Sequence, residues 1–230
     1  MIYHIISLFP QSFNSYLDES ILKRAQEDKK IKVKFYNPRD FTTSQKTYSD
    51  RRVDNKPYGG GPGMVIEALP VIKAIAKAIG LPNKNLVKKT SKGNLKKKVK
   101  IIWFTPSGKQ FDTEYAKETA SKYTDIVFIC GRYEGIDARV KSAFKVDEIS
   151  VGPFILTGGE LPAMILIDSI SRQIEGVLGN FSSLEENRIA SSDVYTRPEV
   201  FKYKERKYKV PKVLLSGNHK LIEEWKNKRK

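Results

Sequence analysis

The sequence predicts an α/β fold built on a mainly parallel sheet, and two observations predict it. Short apolar runs alternate with segments of helical spacing up to about residue 178, which is the pattern of strands joined by crossover helices. The 230 residues are 40% hydrophobic and 10% aromatic, which is enough to fill the core of one large domain. A wholly disordered chain is thereby excluded.

Strands are predicted wherever apolar residues run together and stop at a breaker. The segment Ile31–Tyr36 alternates apolar residues with lysines and ends at Pro38, which is typical of a half-buried strand. The other predicted strands and short apolar pieces are Met1–Phe9, Ile101–Phe104, Asp125–Cys130, Glu148–Val151 and Phe154–Leu156.

Helices are predicted where apolar residues recur at helical spacing. They are Ser12–Asp28, the segment from Pro70 to Gly80, the segment from Asp112 to about Lys122, and Glu160–Ile174. Asp112 has the side chain of a helix N-cap, and Gly80 is a typical C-terminal stop. The side chains expected to face the core are Phe13, Tyr16, Leu17 and Ile21, then Ile72, Ile75, Ala76 and Ile79, and finally Leu161, Ile165, Leu166 and Ile170.

The remaining segments are predicted to be loops and a second, smaller domain. Loops are expected at Arg39–Pro57, Gly59–Gly63 and the lysine-rich run Lys84–Lys100. Residues 1–178 form the first domain, the polar stretch 179–195 is a flexible linker, and 196–230 form a small basic helical domain ending in a helix at His219–Lys228.

Charge and cysteine content indicate the class of partner and the compartment. Lysine and arginine total 42 against 26 acidic residues, a formal net charge of +16. A surface that is lysine-rich throughout would also give a high net charge. Here the basic residues are clustered, which favours a polyanionic partner. The single cysteine, Cys130, fits a reducing cytosol. The sequence has no signal-peptide pattern and no apolar run long enough to span a membrane, so we expect a cytoplasmic protein without a membrane partner.

Basic and aromatic residues interleave near the C-terminus. Lys202, Lys204, Arg206, Lys207 and Lys209 alternate with Phe201, Tyr203 and Tyr208. Cations bind phosphates and aromatic rings stack on exposed bases, which is how single-stranded or structured RNA is held. The alternative is that the three rings belong to a core.

Several enzyme classes are disfavoured by missing motifs. The chain has no Walker sequence, no HExxH, no GxSxG and no GxGxxG after a strand. A P-loop NTPase, a kinase, a zinc hydrolase and a Rossmann dehydrogenase therefore lose most of their support. His4 and His219 stand far apart in ordinary surroundings, and neither is assigned a role.

Three glycine-bearing segments each follow an apolar strand, where ligands bind in open α/β sheets. They are Thr105–Gly108, Cys130–Gly135 and Val151–Pro162. Glycine lets the backbone approach a ligand closely, and Phe154, Ile155 and Leu156 offer apolar walls. The three segments together predict a nucleoside pocket, whereas one alone would be no more than a tight turn.

Two charged residues of these regions have both a functional and a structural interpretation. Glu134 could steady a cationic ligand such as a sulfonium, or it could pair with Arg132 or Arg139. Arg172 could face the pocket, or it could form an i,i+4 ion pair with Asp168.

Six motifs stand in order along the chain. They are Pro38–Phe41, Pro57–Met64, Cys130–Asp137, Gly158–Met164, Tyr195–Glu199 and Leu214–His219. Together they resemble one known family, the bacterial tRNA (guanine-N1)-methyltransferases of the SPOUT superfamily, and the resemblance runs from Met1 almost to Lys230.

The resemblance implies a fold, an activity and partners. The fold is a SPOUT-type α/β domain with a deep trefoil knot, an exception to the rule against knotted chains, followed by a small helical domain. The activity is methylation of guanine N1 at position 37 of tRNA, with S-adenosylmethionine as the donor and magnesium as an assisting ion but no fixed metal ligands assigned. The protein would be a homodimer that binds tRNA across both subunits, and no DNA partner is expected.

The resemblance also carries site residues. Those matching the cofactor loops are Thr105, Pro106, Gly131, Tyr133, Glu134, Val151, Gly152, Pro153, Phe154, Ile155, Leu156, Gly158, Gly159 and Pro162. Arg172 matches the arginine that would stabilise charge on guanine O6.

The catalytic base is where this sequence departs from the family. Asn187 stands where the family places its base aspartate, and an amide cannot accept the proton. Asp193 or Glu186 could supply the carboxylate. The alternative function is a tRNA-binding homologue with weakened catalysis.

Overall fold

The computed structural model describes residues 1–42, 51–81, 98–179 and 193–227. Contacts divide the chain into two compact units, Met1–Leu178 and Gly179–Lys230. The predicted run Lys84–Lys100 lies almost wholly outside the described residues, as does most of the predicted linker. No helix in the described ranges is long and apolar enough to cross a bilayer.

The first unit is built on a five-stranded sheet with helices on both faces. Its strand order is β2-β1-β6-β5-β7, and every neighbouring pair is parallel. The strands are β1 (Ile2–Ile6), β2 (Lys32–Tyr36), β5 (Val99–Gln110), β6 (Asp125–Ile129) and β7 (Asp147–Ser150), with a two-residue pair β3 (Asp54–Asn55) and β4 (Val65–Ile66). The predicted α/β class with a mainly parallel sheet is confirmed.

The helices of the first unit are short except for three. They are α1 (Asn14–Leu17), α2 (Ser20–Glu27), α3 (Ala68–Ile79), α4 (Thr113–Lys122), α5 (Arg139–Ala143) and α6 (Glu160–Arg172), with 3-10 turns at Pro10–Phe13 and Pro38–Phe41. The predicted cap of α4 is confirmed, since Asp112 Oδ1 accepts a hydrogen bond of 2.7 Å from the Tyr115 amide. The predicted stop of α3 is also confirmed, with Gly80 in the left-handed conformation at φ +79°.

The centre of the sheet is apolar on both faces. In β6, Ile126 and Phe128 pack into one core layer, and Val127 and Ile129 pack into the other. Alternate side chains of a strand point to opposite faces, so a strand covered on both sides is apolar throughout. His4 in the neighbouring β1 places Nε2 2.9 Å from Asp125 Oδ1 in a buried pair, which is a structural role.

The predicted single helix at Ser12–Asp28 is wrong. The segment is a 3-10 turn followed by α1 and α2, with Glu19 extended and Ser20 at φ +49°. The break changes which side chains face inward: Leu22 is buried, whereas Tyr16 and Ile21 are exposed. A continuous helix would have kept one face buried.

The outer face of α6 also differs from expectation. Leu166 and Ile170 are buried as predicted, but Leu161 is 54% exposed and Ile165 is 45% exposed. The helix therefore has a second apolar face that the first unit does not cover.

The second unit contains a hairpin that the sequence analysis missed. Strands β8 (Val200–Tyr203) and β9 (Arg206–Lys209) pair antiparallel, followed by α7 (Lys212–Leu215) and α8 (His219–Asn227). The last helix was predicted, and the two strands correct the expectation of a small helical domain. None of residues 193–227 is buried.

Candidate active site

A cavity of about 370 Å³ opens where three neighbouring strands end. Strands β6, β5 and β7 lie side by side and run parallel, so the turns that follow β6 and β7 and the Thr105–Gly108 segment of β5 meet at one edge of the sheet. Thirteen of the fourteen predicted cofactor residues line this cavity, and Pro153 does not. The glycine turns therefore converge as predicted, and their cofactor role stays a prediction.

Eight lining residues are not among the fourteen predicted cofactor residues. They are Trp103, Phe104, Arg132, Gly135, Ile136, Ile149, Ser150 and Thr157. Arg132, Gly135 and Thr157 lie within the predicted glycine-bearing segments, and the other five lie within two residues of one. The full length of each segment and the adjoining strand end therefore carried the signal that could have found them.

The turns after β6 and β7 pack backbone against backbone. The Gly159 amide donates a hydrogen bond of 2.9 Å to the Gly131 carbonyl. A Cβ at Gly159 would lie 2.6 Å from Cys130 Cα, closer than atoms can approach. Only glycine at position 159 permits this contact, which fixes one wall of the cavity.

Glu134 faces the cavity without the predicted alternative pairing. Neither nearby arginine is its partner, because Arg132 pairs with Glu160 at 2.9 Å and Arg139 pairs with Asp137 at 2.5 Å. The Glu134 amide donates a hydrogen bond of 3.0 Å to the Met64 carbonyl. The glycine-rich 59–63 loop thus lies beside this turn, and the carboxylate is placed among the lining residues.

Cys130 is not a nucleophile of this site. Burial raises the pKa of its thiol well above the ordinary value, and the nearby Glu160 carboxylate raises the pKa further. The thiolate is the reactive form of cysteine, so this side chain serves packing.

The β8–β9 hairpin presents an aromatic face. Phe201 and Tyr208 face each other across the strands, with ring centroids 5.2 Å apart and planes 13° apart. The strand register places Tyr203 and Arg206 on that same face, and the lysines Lys202, Lys207 and Lys209 on the opposite one. The rings are exposed and do not form a core, so the arrangement suits stacking on bases with cations nearby for phosphates.

The comparison with known proteins decides the family. All of residues 1–230 match the model of the tRNA (guanine-1)-methyltransferase family TrmD. The chain belongs to the TrmD family. The predicted family is thereby confirmed together with its SPOUT superfamily, and the trefoil knot stays a prediction.

Curated relatives support the same assignment over nearly the whole chain. The tRNA (guanine-N(1)-)-methyltransferase of Clostridioides difficile (strain 630) is 44% identical over 230 residues, which is 98% of this chain and 90% of the relative. The protein of the same name from Alkaliphilus oremlandii is 40% identical and covers 98% and 86%. That of Vibrio vulnificus (strain YJ016) is 42% identical and covers 97% and 83%.

Of the residues that resemblance to TrmD proteins marks as catalytic, the first unit contains Arg172. Arg172 is the last residue of α6 and is absent from the cavity lining. Asp168 accepts a hydrogen bond from the Tyr16 hydroxyl and does not form the i,i+4 pair with Arg172. Asp193 belongs to the second unit, and Asn187 and Glu186 lie outside the described residues.

No group of three or more His, Cys, Asp or Glu side chains is placed to hold a metal within the described part of this TrmD chain. The assisting magnesium ion stays a prediction without assigned ligands.

The close packing at Gly159 predicts a specific loss of ligand binding. Gly159→Ala should force the turn after β7 away from Cys130, lower the melting temperature and weaken binding of S-adenosylhomocysteine by about tenfold or more, a free-energy loss of about 1.4 kcal/mol. Isothermal titration calorimetry and thermal melting measure both effects.

The matched control is Gly179→Ala, because a Cβ there meets nothing within 4 Å. It should leave both quantities unchanged. Wild-type affinity in Gly159→Ala would show that the contact of the two turns does not shape a binding site.

Proposed function

We propose that the protein transfers a methyl group from S-adenosylmethionine to N1 of guanine at position 37 of tRNA. One observation carries the proposal: relatives named tRNA (guanine-N(1)-)-methyltransferase are 40–44% identical over nearly the entire chain. The cavity at the sheet edge and the basic hairpin support it. With tRNA as substrate, the protein would act in the cytoplasm.

The cavity has the chemistry that the methyl donor needs. S-adenosylmethionine supplies a methyl group on a positively charged sulfur. Backbone groups of the glycine turns can hydrogen-bond the adenine edge, and Phe154, Ile155 and Leu156 supply apolar surface. The Glu134 carboxylate attracts the sulfonium. A volume of about 370 Å³ lies within the usual range for such ligands.

Transfer to guanine needs a base and a cation. N1 carries a proton at neutral pH, and its nucleophilicity rises as that proton leaves to a carboxylate. Negative charge then gathers on O6, where the Arg172 guanidinium would stabilise it. As the N1–carbon bond forms, the electrons of the carbon–sulfur bond return to sulfur, which leaves as a neutral thioether. Asp193 and Glu186 are the candidate bases, since Asn187 has no carboxylate.

We infer that two chains assemble into one active enzyme. Pro162 is the residue of α6 that lines the cavity, and the helix rises about 15 Å from it to Arg172, so this arginine does not reach the cavity of its own chain along the helix. The exposed Leu161 and Ile165 on α6 provide an apolar face for a second copy. A homodimer would bring Arg172 of one chain to the cavity of the other, in a SPOUT fold that we expect to be knotted.

The second candidate function is a tRNA-binding homologue with weakened catalysis, which Asn187 favours. It keeps the cavity and the hairpin but lacks a well-placed base.

The function is tested with labelled S-adenosylmethionine and tRNA transcripts whose guanine 37 follows another guanine. We expect N1-methylguanosine at position 37 and none in a transcript with adenine there. Donor binding without turnover would favour the weakened homologue, and absence of both binding and turnover would contradict the proposal.

The shared active site is tested by mixing two inactive variants. Arg172→Ala lacks the cation at O6, and Leu156→Arg places a cation in the donor cavity. If Arg172 serves the partner's cavity, mixed dimers contain one intact site, and the mixture should regain about a quarter of wild-type activity after random exchange. No recovery in dimers shown by mass to be mixed would place Arg172 in the site of its own chain.

The hairpin is tested by the salt dependence of tRNA binding. Lys204→Ala combined with Arg206→Ala should lower the slope of log affinity against log salt by about 1.4 to 1.8, as two phosphate contacts are lost. Phe201→Ala should weaken binding through lost stacking with little change in slope. The charge-matched control is Lys117→Ala with Lys122→Ala on α4, which should change neither quantity. Equal effects of the two double variants would contradict a hairpin-specific contact.

A further inference from the structure

Behind the cavity wall, a buried carboxylate joins three segments of the first unit. Glu160, the first residue of α6, is only 3% exposed. Its Oε1 accepts a hydrogen bond of 2.7 Å from the Ser7 hydroxyl, which follows β1. Its Oε2 lies 2.9 Å from Nε of Arg132, which follows β6. Glu160 itself does not line the cavity, whereas Arg132 does.

Arg132 is held on several sides. Its guanidinium carbon lies 4.8 Å from the centre of the Phe9 ring, and its Nη1 donates a hydrogen bond of 3.4 Å to the Thr157 carbonyl. A Cβ at Gly158 would lie 2.4 Å from Arg132 Nε and 2.6 Å from Glu160 Oε2. The ion pair therefore fills the space that glycine at position 158 leaves open.

The pair has an electrostatic consequence for the cavity. An arginine is always charged, and an uncompensated cation in the lining would repel a second cation through a medium of low dielectric constant. The buried Glu160 carboxylate compensates that charge. Because buried ion pairs are no more stabilising than apolar packing, stability alone does not account for this one.

We propose that Glu160 is a positioning residue that holds Arg132 in the cavity wall and cancels its charge, so that the cavity accepts a cationic donor. This inference rests on the proposed function. The inference predicts different effects on the binding of two ligands. S-adenosylmethionine carries the sulfonium charge, whereas S-adenosylhomocysteine is the corresponding neutral thioether.

Glu160→Gln keeps the shape of the side chain and removes its charge. We expect binding of S-adenosylmethionine to weaken about tenfold more than binding of S-adenosylhomocysteine. Calorimetry with both ligands measures the ratio of the two dissociation constants. Adding Arg132→Gln to this variant removes the uncompensated cation and should return the ratio to the wild-type value, even if both affinities stay low.

The matched control is Glu148→Gln. Glu148 pairs with Lys141 at 2.7 Å and is not among the lining residues, so the ratio should not change. If Glu160→Gln does not fold, Arg132→Gln alone serves, and it should favour the cationic ligand over the neutral one relative to wild type.

The outcomes separate the two proposals. If the wild-type protein binds neither ligand, the proposed function fails. If the wild-type protein binds both and Glu160→Gln weakens both equally, Glu160 is merely structural and the inference is overturned. An unchanged ratio in Arg132→Gln would overturn it as well.

Discussion

The contact between the turn after β7 and the turn after β6 is the constraint on which the site depends. Gly159 lies so close to the Cys130 backbone that no side chain fits between them, and its amide bonds the Gly131 carbonyl. This contact places the first turn of α6 beside the cavity and buries Glu160 next to Arg132. The parallel order of β6, β5 and β7 then adds the third wall. Close backbone packing, the charged side chains and the order of the strands thus all contribute to the same cavity.

Local sequence patterns were enough to predict the central sheet and its helices, because neighbouring residues along the chain determine their apolar runs and caps. The apolar run of β6 is buried on both faces, and the Asp112 cap needs only its own helix.

The outer face of α6 was predicted wrongly, because an apolar residue such as Leu161 gives the same sequence pattern whether the core of its own chain or another molecule covers it. The β8–β9 hairpin was missed because its turn at Lys204 carries neither glycine nor asparagine, although Lys204 adopts φ +52°.

The part of the candidate site that could be predicted from the sequence is the set of glycine turns that follow the strands. Those turns converge because parallel strands end at one edge. The link from Ser7 to Glu160 spans 153 positions, and no spacing rule connects residues so far apart. Arg132 was predicted only as an alternative partner of Glu134, and its pairing with Glu160 depends on how the two turns pack. The separation of Arg172 from the cavity likewise follows from the direction of α6, which composition does not encode.

A crystal structure with S-adenosylhomocysteine bound tests the central claim most directly. The account predicts that the ligand occupies the cavity at the ends of β6, β5 and β7, touches the backbone of both the 131–135 and the 151–156 segments, and leaves the Gly159 contact closed. A ligand bound elsewhere would contradict the account. So would a complex in which the Gly159 contact between the two turns is broken.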